Sequence, residues 1–550
     1  MMRGSSIGRP CGNQGAGVTL LALMVAVPVA AQTIDGVGLG VGLAPSIAPA
    51  LPGGIAAGGG LQLPGAGRSF RLVPRVSITE TITDNATLSS TNRQVEAITQ
   101  PSVGVSILSS GGRVRGFFNY TLTGLLYARG TSPNTLQNAL TSTSTTELIE
   151  KRAYVDVTST ISQQAVSALG TQSVDPALAA ANRTEVRTLS VSPYLRGQVA
   201  DLASYELRAA RTATHTTSAL VSNSTTTLVS ARLTGTGVGR RVNWAADASH
   251  QVYEYSAGRR TEADRVNGLL LLTVDPQLRV TLNAGGETSN LAALEKDSRF
   301  VDGLRADWLP SPRTTLVADI QQRFFGKAHT LSFAHRTPRS AWLYTDVKDV
   351  SATGLAAAAG SQNTLFDLFY NSAIFVSREP DPAARRALVD AFLLGNGLNS
   401  ATPVTTGYLA SSATVRRLQQ LSFTLLGIRD TLTFRATRSD AQRIDTVIRG
   451  NNDFATFGRL QQQGLSVNYS HRLTPQSSLG VILAQQRNTG SDSTSGSASQ
   501  STTLRSAVAI LSGTLGYRLR GSLSARHSRF DNATAPYRES SLIANLSLQF

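Results

Sequence analysis

Six histidines, His215, His250, His329, His335, His471 and His527, are the side chains best suited to moving protons or holding a metal near neutral pH. They are scattered over different segments with no HExxH or comparable ligand spacing, which argues against a metal site. Acyl-transfer chemistry needs a serine held beside a histidine. No GxSxG nucleophile elbow occurs, and isolated serines in a Ser-rich chain carry little information. The sequence therefore points away from an enzyme and predicts no cofactor.

Fixed positive charge is the better candidate for function. Arg196, Arg208, Arg232, Arg279, Arg305, Arg323, Arg435, Arg505 and Arg520 each stand on the parity opposite the apolar residues of their own segment. In a low-dielectric wall such charges concentrate anions and exclude cations, and rings of charge set selectivity in pores. Asp156, Glu206, Asp247, Asp307 and Asp319 share that parity. The competing reading is that the arginines pair with these acids and only knit the wall together.

The elements that would position these residues are β-strands. From Phe70 to Phe550 the dominant signal has period two: Phe70, Leu72, Val76 and Ile78 alternate with Arg71, Arg75, Ser77 and Thr79. The same alternation returns in Phe118, Tyr120, Leu122 and Leu126, in Leu189, Val191 and Leu195, in Leu270, Leu272 and Val274, and in Leu316, Ala318 and Ile320. Each run is a strand with one apolar and one polar face. Tight turns near 109–112, 149–152, 200–203 and 237–241 alternate with longer Ser/Thr/Asn/Gly-rich segments such as 83–96, 162–186, 214–224 and 441–459. Short turns on one side and long loops on the other is the layout of an outer-membrane barrel. The expected fold is all-β, a transmembrane antiparallel up-and-down β-barrel of about 22 strands, within a range of about 18 to 24, with both ends in the periplasm.

Composition agrees. Hydrophobic residues make up 41% of the 550, and the mean hydropathy of −0.05 excludes a helical membrane bundle. Spanning strands need only about 9 to 11 residues with every second one apolar. The net charge of +16 raises nucleic acid as a partner. The arginines stand singly in Thr/Ser-rich strands, however, without a basic helix or an aromatic RNA-binding motif, so no nucleic-acid partner is expected.

Residues 1–31 read as a secretory signal peptide, with Arg3 and Arg9, an apolar run from Val18 to Val29, and cleavage after Ala31. Cys11, the one cysteine, would leave with it, and the mature chain would hold no disulfide or thiolate site. Residues 32–69 are rich in Gly, Ala and Pro and read as a flexible leader. One later stretch, 351–412, is too long for a structureless loop. Asp381-Pro382 offers a helix start, Leu388 and Phe392 lie four apart, and Gly395 sits where a helix would stop. A short amphipathic helix is expected at about 382–394, preceded by Phe366, Phe369 and Tyr370, serving as a lid or constriction or as a structural cap.

A soluble β protein could also alternate, and three features decide against it. The chain ends in Leu542, Ala544, Leu546, Leu548 and Phe550 on one face, which resembles the terminal signal read by the barrel-assembly machinery. Tyr120, Tyr127, Trp244, Trp308, Trp342 and Tyr344 fall mostly near strand ends, where interfacial girdles form. The polar face is Ser, Thr, Asn, Gln and Arg rather than the large apolar residues of a sandwich core. An arginine facing lipid at mid-membrane costs roughly 2 to 4 kcal/mol, so the arginine parity must point into a wet lumen.

Several segments resemble the outer-membrane β-barrel proteins associated with PEP-CTERM protein-sorting and exopolysaccharide systems. They are Thr79-Glu80-Thr81-Ile82-Thr83-Asp84-Asn85 with Leu88, Ile161-Ser162-Gln163-Gln164, and Asn182-Arg183-Thr184-Glu185-Val186 leading to Ser190-Val191-Ser192-Pro193-Tyr194. His335-Arg336-Thr337-Pro338-Arg339-Ser340-Ala341-Trp342 and Pro380-Asp381-Pro382 continue the likeness over most of the chain beyond the leader. The resemblance implies a Gram-negative outer-membrane location and a part in exporting or anchoring surface polymer, and it transfers no catalytic residue. The expected function is a pore or export component for anionic solutes or exopolysaccharide, with outer-membrane lipid and the assembly machinery as partners. The alternatives are a non-conducting assembly component of a surface polysaccharide or protein-sorting system and, least supported, a barrel hydrolase.

Overall fold

The computed structural model describes residues 70–109, 111–178, 181–200, 202–218, 221–236, 241–256, 258–351, 412–445, 453–491 and 499–550. Between 351 and 412 it describes Phe366, Tyr370, Phe375, Arg385, Arg386, Leu388, Val389, Tyr408 and Leu409. The expected signal peptide with Ala31, the 32–69 leader, Asp381, Pro382 and Phe392 lie outside the described residues.

Twenty-two strands follow one another along the chain. β1 (Phe70–Thr83), β2 (Glu96–Ser109), β3 (Val114–Tyr127) and β4 (Thr135–Ile149) begin the wall. β5 (Ala153–Ala165), β6 (Arg183–Val199), β7 (Ala203–Thr216), β8 (Ser224–Thr236) and β9 (Val242–Tyr255) continue it. Next come β10 (Thr261–Thr273), β11 (Leu278–Ser289), β12 (Asp297–Ser311), β13 (Thr314–Arg323) and β14 (Gly326–Arg336). β15 (Ser340–Ser351) and β16 (Thr414–Leu426) flank the long segment, and β17 (Asp430–Arg443) precedes a one-turn helix, α1 (Asp453–Thr456). β18 (Arg459–Arg472), β19 (Ser477–Ser491), β20 (Gln500–Thr514), β21 (Leu519–Asp531) and β22 (Tyr537–Gln549) complete the ring.

Each strand pairs antiparallel with its successor, and β22 returns to β1 with Leu548 opposite Val76 and Leu546 opposite Ile78. Closure leaves no edge, the condition for a sheet to stand in hydrocarbon with every backbone group paired. Turns at one end are short. Only residues 312–313 separate β12 from β13, and Lys151 and Ala200 take the left-handed φ of 57° and 48° that such tight reversals demand. The opposite end carries the longer loops, among them 84–95, 166–182, 352–413 and 444–458.

Period two along each strand becomes two surfaces. Ile78, Leu195, Leu233, Leu304, Ile320, Leu483 and Leu542 are exposed on the outer wall, as a lipid-facing surface requires. Trp244, Trp308 and Trp342 all face outward close to the turn end, and Trp342 packs on Phe423 at 4.2 Å between ring centroids. Together they form one aromatic girdle. Tyr127, expected beside them, faces inward instead, and its hydroxyl donates to the Ala177 carbonyl at 2.6 Å. Within the long segment, Phe366, Tyr370, Phe375, Arg385, Arg386, Leu388 and Val389 are helical.

Candidate functional site

The lumen has two differently built halves. Toward the turn end, Arg196, Arg208, Arg232, Arg279, Arg305, Arg435 and Arg520 stand on the strand face opposite the exposed apolar residues, so strand alternation turns them inward. Arg323 is also inward, but near the loop end of β13.

Several are bound to acids of the same face. Arg208 donates to Asp156 at 2.8 Å and to Glu206 at 3.1 Å, and Arg305 contacts Asp307 at 2.7 Å and Asp319 at 4.0 Å. Arg232 lies 3.6 Å from Asp247, and Arg323 pairs with Glu287 and Asp349. Arg196, together with Arg208 again, brackets an aromatic stack. Tyr154 and Tyr194 lie parallel at 5.1 Å, with Arg196 over the first at 4.4 Å and Arg208 over the second at 4.1 Å. Cation–π contacts of this kind fix guanidiniums in place without neutralising them.

Arg505 is a correction. On β20 the buried residues are Thr502, Leu504, Ile510 and Ser512, so Arg505 faces outward, 53% exposed, and pairs with Asp531 at 3.2 Å. The parity expectation failed because this strand carries apolar residues on both faces, Leu504, Val508 and Ile510 inside and Ala507, Ala509 and Leu511 outside. Ile510 and its neighbour Ile482 on β19 pack on Phe375 and Val389 of the long segment, together with Phe366, Tyr370 and Leu388. Leu388, expected in a lid helix, is thus helical and sits against the inner wall.

Toward the loop end the lumen is bridged by the β5–β6 loop, residues 166–182. Val174, Ala177 and Leu178 pack on Leu88, Ile98, Leu125, Leu504, Phe530 and Tyr537 from both ends of the chain. Ala168 and Leu169 pack on Tyr408 of the long segment and Phe454 of α1, and on Ala441 of β17 and Leu460 of β18, two strands almost opposite β5 in the ring. The loop backbone is held by wall side chains. Asn488 donates to the Ala168 carbonyl at 2.6 Å, Tyr537 to Gln172 at 2.5 Å and Gln137 to Pro176 at 3.0 Å. Asp453 of α1 accepts from the Ser167 hydroxyl and the Ala168 N–H, both at 2.6 Å.

One buried ion cluster fastens this loop. Arg526 of β21 donates through Nη1 to Asp175 at 2.6 Å and through Nη2 to Glu539 of β22 at 2.9 Å, with all three side chains under one-tenth exposed. Glu539 also accepts from Thr83 at 3.0 Å and from Ser528 at 2.9 Å. Burial alone would raise the Asp175 carboxyl, but Arg526 and the Ala177 N–H more than offset it and hold it below its usual range. Burial does prevail at Asp453, whose carboxyl is pushed up despite its hydrogen bonds, and it pushes the Tyr408 hydroxyl up to about 12.

Sequence reasoning missed Arg526, Asp175, Glu539 and Asp453. One signal was available: a solvated loop has no use for Val166, Leu169, Val174, Ala177 and Leu178 within so few residues. Among the described residues no cluster of three or more His, Cys, Asp or Glu is arranged to hold a metal ion.

No family model and no curated relative matches the sequence. Among solved structures, the chain is similar to the siderophore receptor PirA from Pseudomonas aeruginosa at 9% identity, covering 87% of this chain and 80% of that one, with a TM-score of 0.39. It is similar to the FrpB iron transporter from Neisseria meningitidis at 9% identity, covering 88% and 82%, with a TM-score of 0.46. The outer membrane protein opdK from Pseudomonas aeruginosa matches at 9% identity over 87% and 99%, with a TM-score of 0.32.

Proposed function

We propose that this protein is an outer-membrane conduit for anionic cargo that enters from the periplasmic, turn-side end and is retained by a latched loop at the opposite mouth. The observation that carries this reading is the division of the lumen. Seven inward arginines, from Arg196 to Arg520, stand toward the turn end, whereas the loop-side half, with Arg265, Arg323 and Arg416 on its wall, is spanned by apolar chain fastened through Asp175, Arg526 and Glu539. A basic vestibule raises the local concentration of anions before they meet the closure. A barrel of 22 strands encloses a lumen wide enough to need such an internal occupant. Acidic exopolysaccharide is the cargo that the resemblance of the 79–85 and 335–342 segments suggests, and smaller anionic solutes share its chemistry.

A second reading has its own support. Arg208, Arg305 and Arg323 are each engaged by two acids, which favours a non-conducting assembly component whose inner charges only brace the wall. Planar-bilayer recording separates the two. The conduit reading expects low conductance from the purified protein and a large, anion-preferring increase when residues 168–178 are replaced by a short Gly/Ser linker. Absence of conductance in both proteins favours the assembly role, and cation preference in the opened variant refutes the basic vestibule.

A further inference from the structure

The outer wall of β19 to β22 carries a charge pattern that the lumen does not use. Its apolar band ends at Leu483 on β19, Ala507 on β20, Ala525 on β21 and Leu542 on β22. Farther toward the loop end on the same outward parity stand Arg487, Arg505, Arg529 and Arg538. Arg505 is directly opposite Arg529, and Arg529 is directly opposite Arg538. Arg487 is opposite Thr503, one step along β20 from Arg505.

Like charges directly opposite one another on a sheet are destabilising, and among the described residues the local acids do not balance them. Asp531 contacts Arg505 at 3.2 Å and Arg529 at 2.8 Å. Asp84, the acid beside β22 whose Oδ1 accepts from the Ser540 N–H, is taken by Arg93 at 2.5 Å. By contrast, Arg417 and Arg459, also outward and near the loop ends of their strands, each face a carboxylate of their own, Asp346 and Asp440.

We propose that the Arg487, Arg505, Arg529 and Arg538 row binds the phosphates of a bisphosphorylated lipid headgroup in the leaflet on the loop side. Its place fits, because the row stands roughly one to two strand repeats of about 7 Å above the last apolar side chains, where headgroups meet the barrel. Its chemistry fits, because guanidiniums engage phosphate oxygens bidentately. Neighbouring strands about 4.8 Å apart space the arginines to straddle two phosphates rather than one, and four guanidiniums against Asp531 leave an excess that a single phosphate does not match. This inference rests on the outer-membrane placement proposed above.

The test uses the full mature chain folded in maltoside micelles, with lipid retention read by native mass spectrometry. The probes are bisphosphorylated lipid A, its monophosphorylated form, phosphatidylcholine and inorganic phosphate. The expected result is selective retention of bisphosphorylated lipid A, weakened at least tenfold in R505Q/R529Q/R538Q, while that variant keeps its heat-modifiable migration. Equal retention by the triple variant overturns the site, as does retention indifferent to phosphorylation. Competition by millimolar inorganic phosphate at the level of the lipid overturns the headgroup assignment in favour of a free-anion site. The single variant R538Q, expected to weaken retention by a smaller factor, serves if the triple variant does not fold. Failure of the conduit reading would appear instead in the bilayer recordings or in membrane fractionation, neither of which enters this binding measurement.

Discussion

Arg526→Gln isolates the loop fastening from the rest of the barrel. The substitution keeps a hydrogen-bonding side chain but leaves Glu539 buried without its cation and Asp175 with only the nearby Arg183, which donates to the Asp175 backbone carbonyl rather than to its carboxylate. Removing one partner of a buried ion pair costs about 3 to 5 kcal/mol. Full burial of one large apolar side chain such as Leu178 contributes about 1.5 to 3 kcal/mol, and each neutral hydrogen bond about 0.5 to 1.5 kcal/mol. The charge penalty is therefore comparable to the apolar grip that Leu178 and Val174 together provide. It is small against the continuous strand ladder, so the loop should yield while the barrel stands. At 1.4 kcal/mol per tenfold, the released fraction should rise by about two to three orders of magnitude. Ser173→Cys, made in a chain produced from residue 32 onward so that Cys11 is absent, places a near-isosteric thiol in the buried loop with no other cysteine present. Labelling by a water-soluble maleimide should be slow in S173C and at least 100-fold faster in S173C/R526Q, since fast opening makes the rate track the exposed population. Arg526→Lys, which keeps the charge and loses the fork, should fall between them. If the two thiols label within threefold of each other, Arg526 does not hold the loop and the latch reasoning fails.

Other outcomes follow from the same geometry. The Asp175 carboxyl is held below its ordinary value, so its contribution is complete above the normal aspartate range and is lost as pH falls through its depressed value. S173C labelling, divided by the rate for a free cysteine peptide at the same pH to remove the thiol's own ionisation, should be flat from pH 5 to 8, and a change of that ratio within the window would contradict the pairing. Asp453→Asn should speed labelling modestly, because Ser167 and the Ala168 N–H use different carboxylate oxygens and an amide oxygen can accept from only one of them, and Asp453→Ala should free the near end of the loop further. Val481→Arg puts a charge in the middle of the lipid-facing band of β19 and should cost roughly 2 to 4 kcal/mol in a urea-folding titration into vesicles, while Ala484→Arg, three residues along and inward, should cost less than half of that. Deleting Phe550 should slow assembly, read as loss of the heat-modifiable band, and should leave the conductance of whatever protein folds unaltered.

The barrel was legible in the sequence because its cause is local. A strand with hydrocarbon on one side and a polar lumen on the other writes that difference into every second residue, as in Phe70, Leu72, Val76 and Ile78. The inward orientation of Arg208 and Arg305 follows from the same local rule. It fails at Arg505 for a physical reason: where the chain's own Phe375 and Val389 fill the lumen, the inner face of β20 is apolar too, and parity no longer tells inside from outside. The loop fastening was illegible because its parts are remote. Gln172 meets Tyr537, and Asp175 meets Arg526, across separations of 365 and 351 residues. Arg526 itself hides among His527 and Arg529, which point the other way.

The seam between β1 and β22 sets an order of events for biogenesis. Thr83 comes from the first strand to emerge, Asp175 from the early middle, and Arg526 and Glu539 from the last hairpin. Their cluster can form only after the final residues have been threaded into place. Until then the 166–182 segment has apolar side chains and no berth, which leaves it open to proteolysis. A protected loop therefore certifies a finished molecule, and pulse-chase proteolysis at this one segment would time completion of the circle.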